Sequence, residues 1–249
     1  MKRSLGVALL FVLLTSISVT LRPGVAQSDD NSSLTEQTGY SGNHEDRPWD
    51  RLNHPASEAN SLPVAAALYA TDGHSLYLID RTTGSETLIG DHGSEGATIS
   101  ALAFDDDGIL YGLSLSFGSR LFTIDLSNGN TDDVGPLDVG SVFGGGLAFD
   151  ASDQLYGATV RDSADSLVKM FTIDTITGAA TILGPALGGD RIITGLASDG
   201  PTLYATDSVS NTLGTVDPST GAYTAIGDPG VTTGGTGGLA IDPLGGTLY

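Results

Sequence analysis

From about residue 65 to Tyr249 the chain is written in short apolar stretches that alternate with polar positions at period two, separated by clusters of Gly, Asp, Asn and Ser. That pattern predicts half-buried β-strands joined by turns, and helical periodicity is nearly absent. The stretch Gly145 to Gly184 shows the unit. Gly146-Leu147-Ala148-Phe149 predicts a strand facing a crowded interior, because small residues stand between large ones where backbones come close. Asp150 to Asp153 is a turn by composition, and Gln154 to Thr159 then alternates as a second strand. Lys169 to Asp174 and Ala180 to Gly184 are the third and fourth strands.

The same unit recurs. Leu78-Ile79-Asp80, Thr123-Ile124-Asp125, Thr172-Ile173-Asp174 and Thr215-Val216-Asp217 are each followed four residues later by glycine, at Gly84, Gly129, Gly178 and Gly221, with intervals of 45, 49 and 43 residues. Gly90, Gly135, Gly184 and Gly227 keep the same intervals, as do Leu102, Leu147, Leu196 and Leu239. Length changes therefore fall in one loop per repeat, and a period of roughly 40 to 50 residues is that of propeller blades. The expected fold is all-β, a propeller of four-stranded blades with about four repeats over 62–249.

Asp80, Asp125, Asp174 and Asp217 open the turns between the third and fourth strands, where a carboxylate accepts backbone N–H groups, and the four glycines close them with φ above zero. A ring of cation ligands is disfavoured for these acids, because equivalent positions lie on separate blades. Tyr69, Tyr111, Tyr156, Tyr204 and Tyr249 stand at one place in the repeat and predict a ring packed between blades with its hydroxyl at an edge.

Closure admits two readings. Ala65 to Tyr77 begins with a second-type strand and Gly237 to Ile241 is an innermost strand, so joining the two would complete four blades. Gly246-Thr247-Leu248-Tyr249 competes for the same position, which favours part of a larger ring of six to eight blades whose open edges would drive association.

Upstream, Lys2 and Arg3 precede an apolar run from Leu5 to about Leu21, and Gly24-Val25-Ala26 supplies small residues for cleavage, so 1–26 is expected to be a signal peptide and the product secreted or periplasmic. A retained membrane anchor is the alternative. Residues 27–61 are polar and aperiodic and read as a disordered linker. His44-Glu45-Asp46 within it matches no metal-site spacing and reads as a solvated charge run.

Thirty acidic against ten basic residues give a net charge of −20. Such a field repels phosphate, so nucleic acid is not an expected partner, and no stable membrane insertion is expected once the leader is removed. Most acids are Asp, the turn residue, which follows from many short strands. Cysteine is absent, so thiolate chemistry and disulfides are excluded.

The recurring Leu-(Phe/Tyr)-x-Ile-Asp-x-x-(Thr/Asn)-Gly and Gly-Leu-Ala-Phe-Asp segments resemble the bacterial secreted β-propeller repeats of the YVTN and NHL type across about residues 65 to 249. The resemblance implies four-stranded blades, export, and surfaces for protein or glycan contact. Some relatives carry lactonase, phytase or other hydrolase sites around the central channel.

No Gly-x-Ser-x-Gly, His-Glu-x-x-His or phosphate loop is present. Asp105-Asp106-Asp107-Gly108 is the one acid cluster with metal chemistry, since oxygen ligands on a turn suit Ca²⁺, and a plain hairpin turn is its other reading. His74 and His92 are expected in surface loops. These features favour a non-enzymatic exported recognition or scaffold module without a cofactor. A Ca²⁺-dependent lactonase- or phytase-like hydrolase and a multimerising surface protein are the alternatives.

Overall fold

The computed structural model describes residues 18–21, 67–93, 98–114, 118–139, 142–143, 145–158, 161–162, 169–184, 191–230, 238–242 and 246–249. All of them lie in one compact unit, Met1–Pro23 with Ala66–Tyr249. The expected linker 27–61 falls outside the described residues.

The unit is a four-bladed β-propeller of four-stranded antiparallel sheets. Blade 1 is β1 (Ser18–Leu21), β2 (Leu68–Thr71), β3 (Ser75–Ile79) and β4 (Glu86–Asp91). Blade 2 is β5 (Ile99–Phe104), β6 (Leu110–Ser114), β7 (Arg120–Ile124) and β8 (Thr131–Pro136). Next in the chain come β9 (Val142–Phe143), β10 (Leu147–Phe149), β11 (Leu155–Ala158), β12 (Arg161–Asp162), β13 (Met170–Ile173) and β14 (Ala180–Leu183). Of these, β10, β11, β13 and β14 form blade 3, and β9 pairs with β12 in a small separate ribbon. Blade 4 is β15 (Ile193–Ser198), β16 (Leu203–Asp207), β17 (Thr212–Val216) and β18 (Tyr223–Gly227).

Burial falls from the inside outward. Every residue of β5 is buried, whereas the outermost β4 and β18 are mostly exposed and β14 has no buried residue. The apolar cores lie between blades. Ala103, Tyr111 and Leu121 of blade 2 pack on Leu147, Phe171 and Ile173 of blade 3, and equivalent clusters join blade 1 to blade 2 and blade 3 to blade 4. Tyr69 meets Phe104 of the next blade edge-on at 5.4 Å, and Tyr111 meets Phe149 at the same distance.

The outer turns are alike in all four blades. The N–H groups of Gly84, Gly129, Gly178 and Gly221 donate to the carbonyls of Asp80, Asp125, Asp174 and Asp217 at 2.7 to 2.8 Å. The Oδ1 atoms of those acids accept the N–H two residues on, each at 2.8 Å. The glycines stand at φ +72°, +80°, +77° and +72°.

The second glycine set explains how blades meet. A Cβ at Gly90 would lie 1.9 Å from the carbonyl oxygen of Asn128 in the turn of blade 2, one at Gly135 2.0 Å from that of Thr177 in blade 3, and one at Gly184 2.1 Å from that of Thr220 in blade 4. Each junction is therefore backbone against backbone, which only glycine permits. Gly227 has nothing within 4 Å of its Cβ position among the described residues.

Neither closure reading describes the ends of the ring as observed. The innermost place in blade 1 is taken by Ser18–Leu21, from inside the expected signal peptide, paired along Leu68–Thr71. Residues 238–242 and 246–249 form a hairpin of their own, with Ala240 and Tyr249 exchanging backbone hydrogen bonds at 3.0 and 2.7 Å. This hairpin sits against blade 1, where Ala240 packs on Leu68 and Arg81 bridges to Asp242.

Alanine at Gly90 or Gly135 is expected to destabilise the fold by roughly 1 to 3 kcal/mol through overpacking. Gly227→Ala is expected to change stability by less than about 0.5 kcal/mol. Urea denaturation of the three variants checks the contrast, and a loss at Gly227 equal to the others would refute it.

Candidate functional site

The innermost strands neighbour one another in the order β1, β5, β10, β15. At their centre is a cavity of about 80 Å³ lined by Ala103, Ala148, Ala197 and Ala240 with flanking Leu, Phe and Ile side chains and Ser198. The four alanines recur at intervals of 45, 49 and 43 residues, and each is buried. Among the described residues, none of the side chains lining it is titratable.

One acid per repeat opens the inner hairpin turn: Asp105, Asp150, Asp199 and Asp242. Asp150 Oδ1 accepts from Ser152 N, Ser152 Oγ and Gln154 N at 2.9, 2.7 and 3.1 Å. Asp199 accepts from Thr202 N and Tyr204 Oη at 3.1 and 3.0 Å. Asp105 is 6% exposed and its Oδ1 accepts from Ile109 N at 2.7 Å. Burial, reinforced by the charges of Asp153 and Asp107, pushes its carboxyl up to about 6 against that hydrogen bond. Burial and the nearby Asp105 and Asp153 also push the Tyr111 phenol up to about 12.

Asp106 and Asp107 are exposed, and Asp106 donates its backbone N–H to Asp153 Oδ1 at 3.4 Å. Among the described residues, no three His, Asp or Glu side chains are grouped so as to hold a metal ion. Asp105, Asp106 and Asp107 thus share a turn without converging on one point. Asp80, Asp125, Asp174 and Asp217 are turn acids whose carboxylates face their own backbone.

Two buried polar groups were not legible as such in the sequence. His92 is 2% exposed, which corrects the expectation of a surface loop, while His74 is exposed as expected. His92 Nδ1 lies 3.0 Å from the Gly129 carbonyl oxygen and Nε2 lies 2.8 Å from Thr71 Oγ1. A carbonyl only accepts, so Nδ1 carries the proton, and Thr71, which accepts from Gly73 N at 2.9 Å, donates to a neutral Nε2. Burial holds the imidazole below its usual range. In blade 4, Asp207 accepts from Ile192 N, Val209 N and Arg191 Nη1 at 3.1 Å and from Ser210 Oγ at 2.7 Å, and Arg191 lies over the Tyr223 ring at 4.5 Å. The repeated unit Leu-Tyr-Ala-Thr-Asp, at 68–72 and 203–207, is the signal that could have singled out this place.

No protein-family profile matches the chain, and no curated protein sequence does. A structural genomics protein of unknown function from Bacteroides thetaiotaomicron superposes with a TM-score of 0.55 at 16% identity, over 71% of this chain and 51% of that one. A gluconolactonase from Xanthomonas campestris gives 0.50 at 17% identity, over 74% of this chain and 65% of that one. A nidogen/laminin complex gives 0.49 at 18%, over 70% and 63%. This chain spans about half to two-thirds of those lengths. The solved structures it resembles are β-propellers, and at these identities the likeness is one of fold.

The Asp105 carboxyl is raised from 3.8 to about 6, so the native state holds that proton more tightly than the unfolded chain. Its contribution is intact below pH 3.8 and lost as pH rises through about 6. Asp105→Asn is therefore expected to stabilise the fold at pH 7 by roughly 1 to 3 kcal/mol and to have little effect near pH 3.5. His92 has the opposite sign, since a depressed imidazole contributes stability above its unfolded value of 6.5 that is lost as pH falls. His92→Gln should remove that acid-side slope from urea-denaturation midpoints measured between pH 5 and 8 (about the range where imidazole titrates), and a variant with an unchanged slope would contradict the assignment.

Proposed function

We propose that this protein is an exported, non-enzymatic β-propeller that acts as a recognition or scaffold module for a protein or glycan partner. The central cavity carries the reading. Where a propeller hydrolase needs acids, a histidine or a cation converging at the channel, the described residues lining this cavity are Ala, Leu, Phe, Ile and one Ser. Chemistry that differs between repeats sits at the periphery instead, in the His92 and Asp207 clusters. Among the described residues no helix is long and apolar enough to cross a membrane.

Export rests on the leader at 1–26, with 27–61 as a spacer ahead of the blades. Cleavage after Ala26 would remove Ser18–Leu21, so the innermost place of blade 1 is filled in this way only in the uncleaved chain. The mature protein is expected to begin at Gln27, which N-terminal sequencing of the exported product reads directly. Retention of Met1 in a membrane fraction would refute it.

Purified protein is expected to hydrolyse neither lactones nor phosphomonoesters, with or without Ca²⁺, and to show no Ca²⁺-dependent thermal shift. Ca²⁺-dependent turnover abolished by Asp105→Asn would overturn the non-enzymatic reading. Saturable retention on a glycan array or a purified protein surface is the positive readout.

A further inference from the structure

One side chain breaks the pattern of the outer turns. In three blades the residue before the closing glycine is a threonine, Thr83, Thr177 or Thr220, whose hydroxyl accepts from the N–H two residues on at 3.2, 3.3 and 3.3 Å. In blade 2 that residue is Asn128, followed by Gly129. Asn128 Oδ1 takes the threonine's role, accepting from Asn130 N at 2.8 Å, and its Nδ2 donates to Asp125 Oδ2 at 2.9 Å. A glycine has no side chain to shield its nitrogen and turns freely, so an asparagine ahead of it carries an amide open to attack by the next backbone nitrogen.

The junction with blade 1 holds these atoms away from that reaction. Gly129 is buried, its N–H donates to the Asp125 carbonyl at 2.7 Å, and its own carbonyl oxygen lies 3.0 Å from His92 Nδ1 of blade 1. Gly90 of blade 1 packs on the same peptide unit, so closely that a Cβ there would lie 1.9 Å from the Asn128 carbonyl oxygen and 2.7 Å from its carbon. The Asn128–Gly129 peptide therefore cannot rotate towards the Asn128 side chain while blade 1 is seated on it.

We propose that Asn128 is a deamidation site gated by the junction between blades 1 and 2. When the junction opens, Gly129 N gives up its proton to solvent and attacks Asn128 Cγ. The Cγ–Nδ2 bond breaks, ammonia leaves, and a five-membered succinimide closes. Water then opens the ring at Cγ to give aspartate, or at the main-chain carbonyl to give isoaspartate. Neither product restores the turn. Aspartate is an acceptor only, so it sets a second carboxylate where Nδ2 had donated to Asp125 Oδ2. Isoaspartate adds a methylene to the main chain at the carbonyl on which Gly90 rests. A transient local opening thus becomes a permanent one. The inference concerns the junction alone and survives failure of the functional reading above.

The test incubates the full chain at mildly alkaline pH, folded or in urea, and follows each asparagine-containing peptide by mass spectrometry with isoaspartate resolved by chromatography. Asn128 is expected to convert at least about tenfold more slowly in the folded protein than in urea, since only the open fraction reacts. Gly90→Ala, which pushes against the Asn128 carbonyl, is expected to speed conversion of the folded protein at least about fivefold and to leave Asn211, in blade 4, at its wild-type rate. Asn128→Thr, the residue of the other three blades, should keep the wild-type melting midpoint and lose the fall in midpoint that accompanies ageing of the wild type. No conversion at Asn128 in urea overturns the site. Equal rates folded and in urea overturn the gating, as does a folded Gly90→Ala that converts no faster than wild type; if that variant does not fold, the wild-type ratio decides alone.

Discussion

The contact on which this fold depends is the one between a glycine at the end of a fourth strand and the turn carbonyl of the next blade. At about 2 Å from that oxygen a Cβ has no place, so each junction requires a bare backbone at one fixed point. The turn that meets it must also be rigid. Its Asp carboxylate caps two of its own N–H groups, as at Thr82 and Thr83 for Asp80, and its closing glycine takes φ near +75°. Two glycines and one acid per repeat thus define the spacing of the blades, and the apolar clusters fill what that spacing leaves.

The two ends of the strands differ in how far the repeats stay alike. The outer turns and the inner hairpin turns project from the same ends of the strands, and their intervals do not vary between repeats beyond the common 45, 49 and 43. The loops between second and third strands project from the opposite ends. There the chain differs from blade to blade: Asp72-Gly73-His74 in blade 1, Arg161–Asp162 near the loop of blade 3, and Ser208 to Asn211 beside Asp207 in blade 4. The Arg191–Asp207 pair lies beside this variable loop in blade 4, whereas His92 stands at a blade junction, two residues after Gly90 and bonded to the Gly129 carbonyl.

What was legible in the sequence was what local chemistry specifies. The Asp-to-Gly turns needed only a carboxylate, nearby N–H groups and a left-handed residue, and all four take one geometry. The number of repeats and the strand order follow from period and spacing, whereas the blade number of the ring did not, since the competing Leu-Tyr strand at the end of the chain favoured six to eight. The second glycine set was visible as a rhythm, but its meaning needs two blades side by side. Ser18–Leu21 was unreadable as a strand because its place rests on backbone pairing, which nearly any apolar segment can supply. The Gly-Leu-Ala segment near 238 carried the stronger inner-strand signature and went to a separate hairpin. His92 looked like a loop residue because its partners, Thr71 and the Gly129 carbonyl, are 21 and 37 residues away.

The small residues of the inner strands follow from the same constraint. Interlocked outer edges set the angle at which inner strands converge, and convergence near the axis leaves room for a methyl group and little more. Ala103, Ala148, Ala197 and Ala240 are buried on the inner strands among apolar neighbours, where an unpaired ionised group would be disfavoured. The repeats stay alike where they meet and differ in loops and edges, the two places where one blade is not a copy of the next.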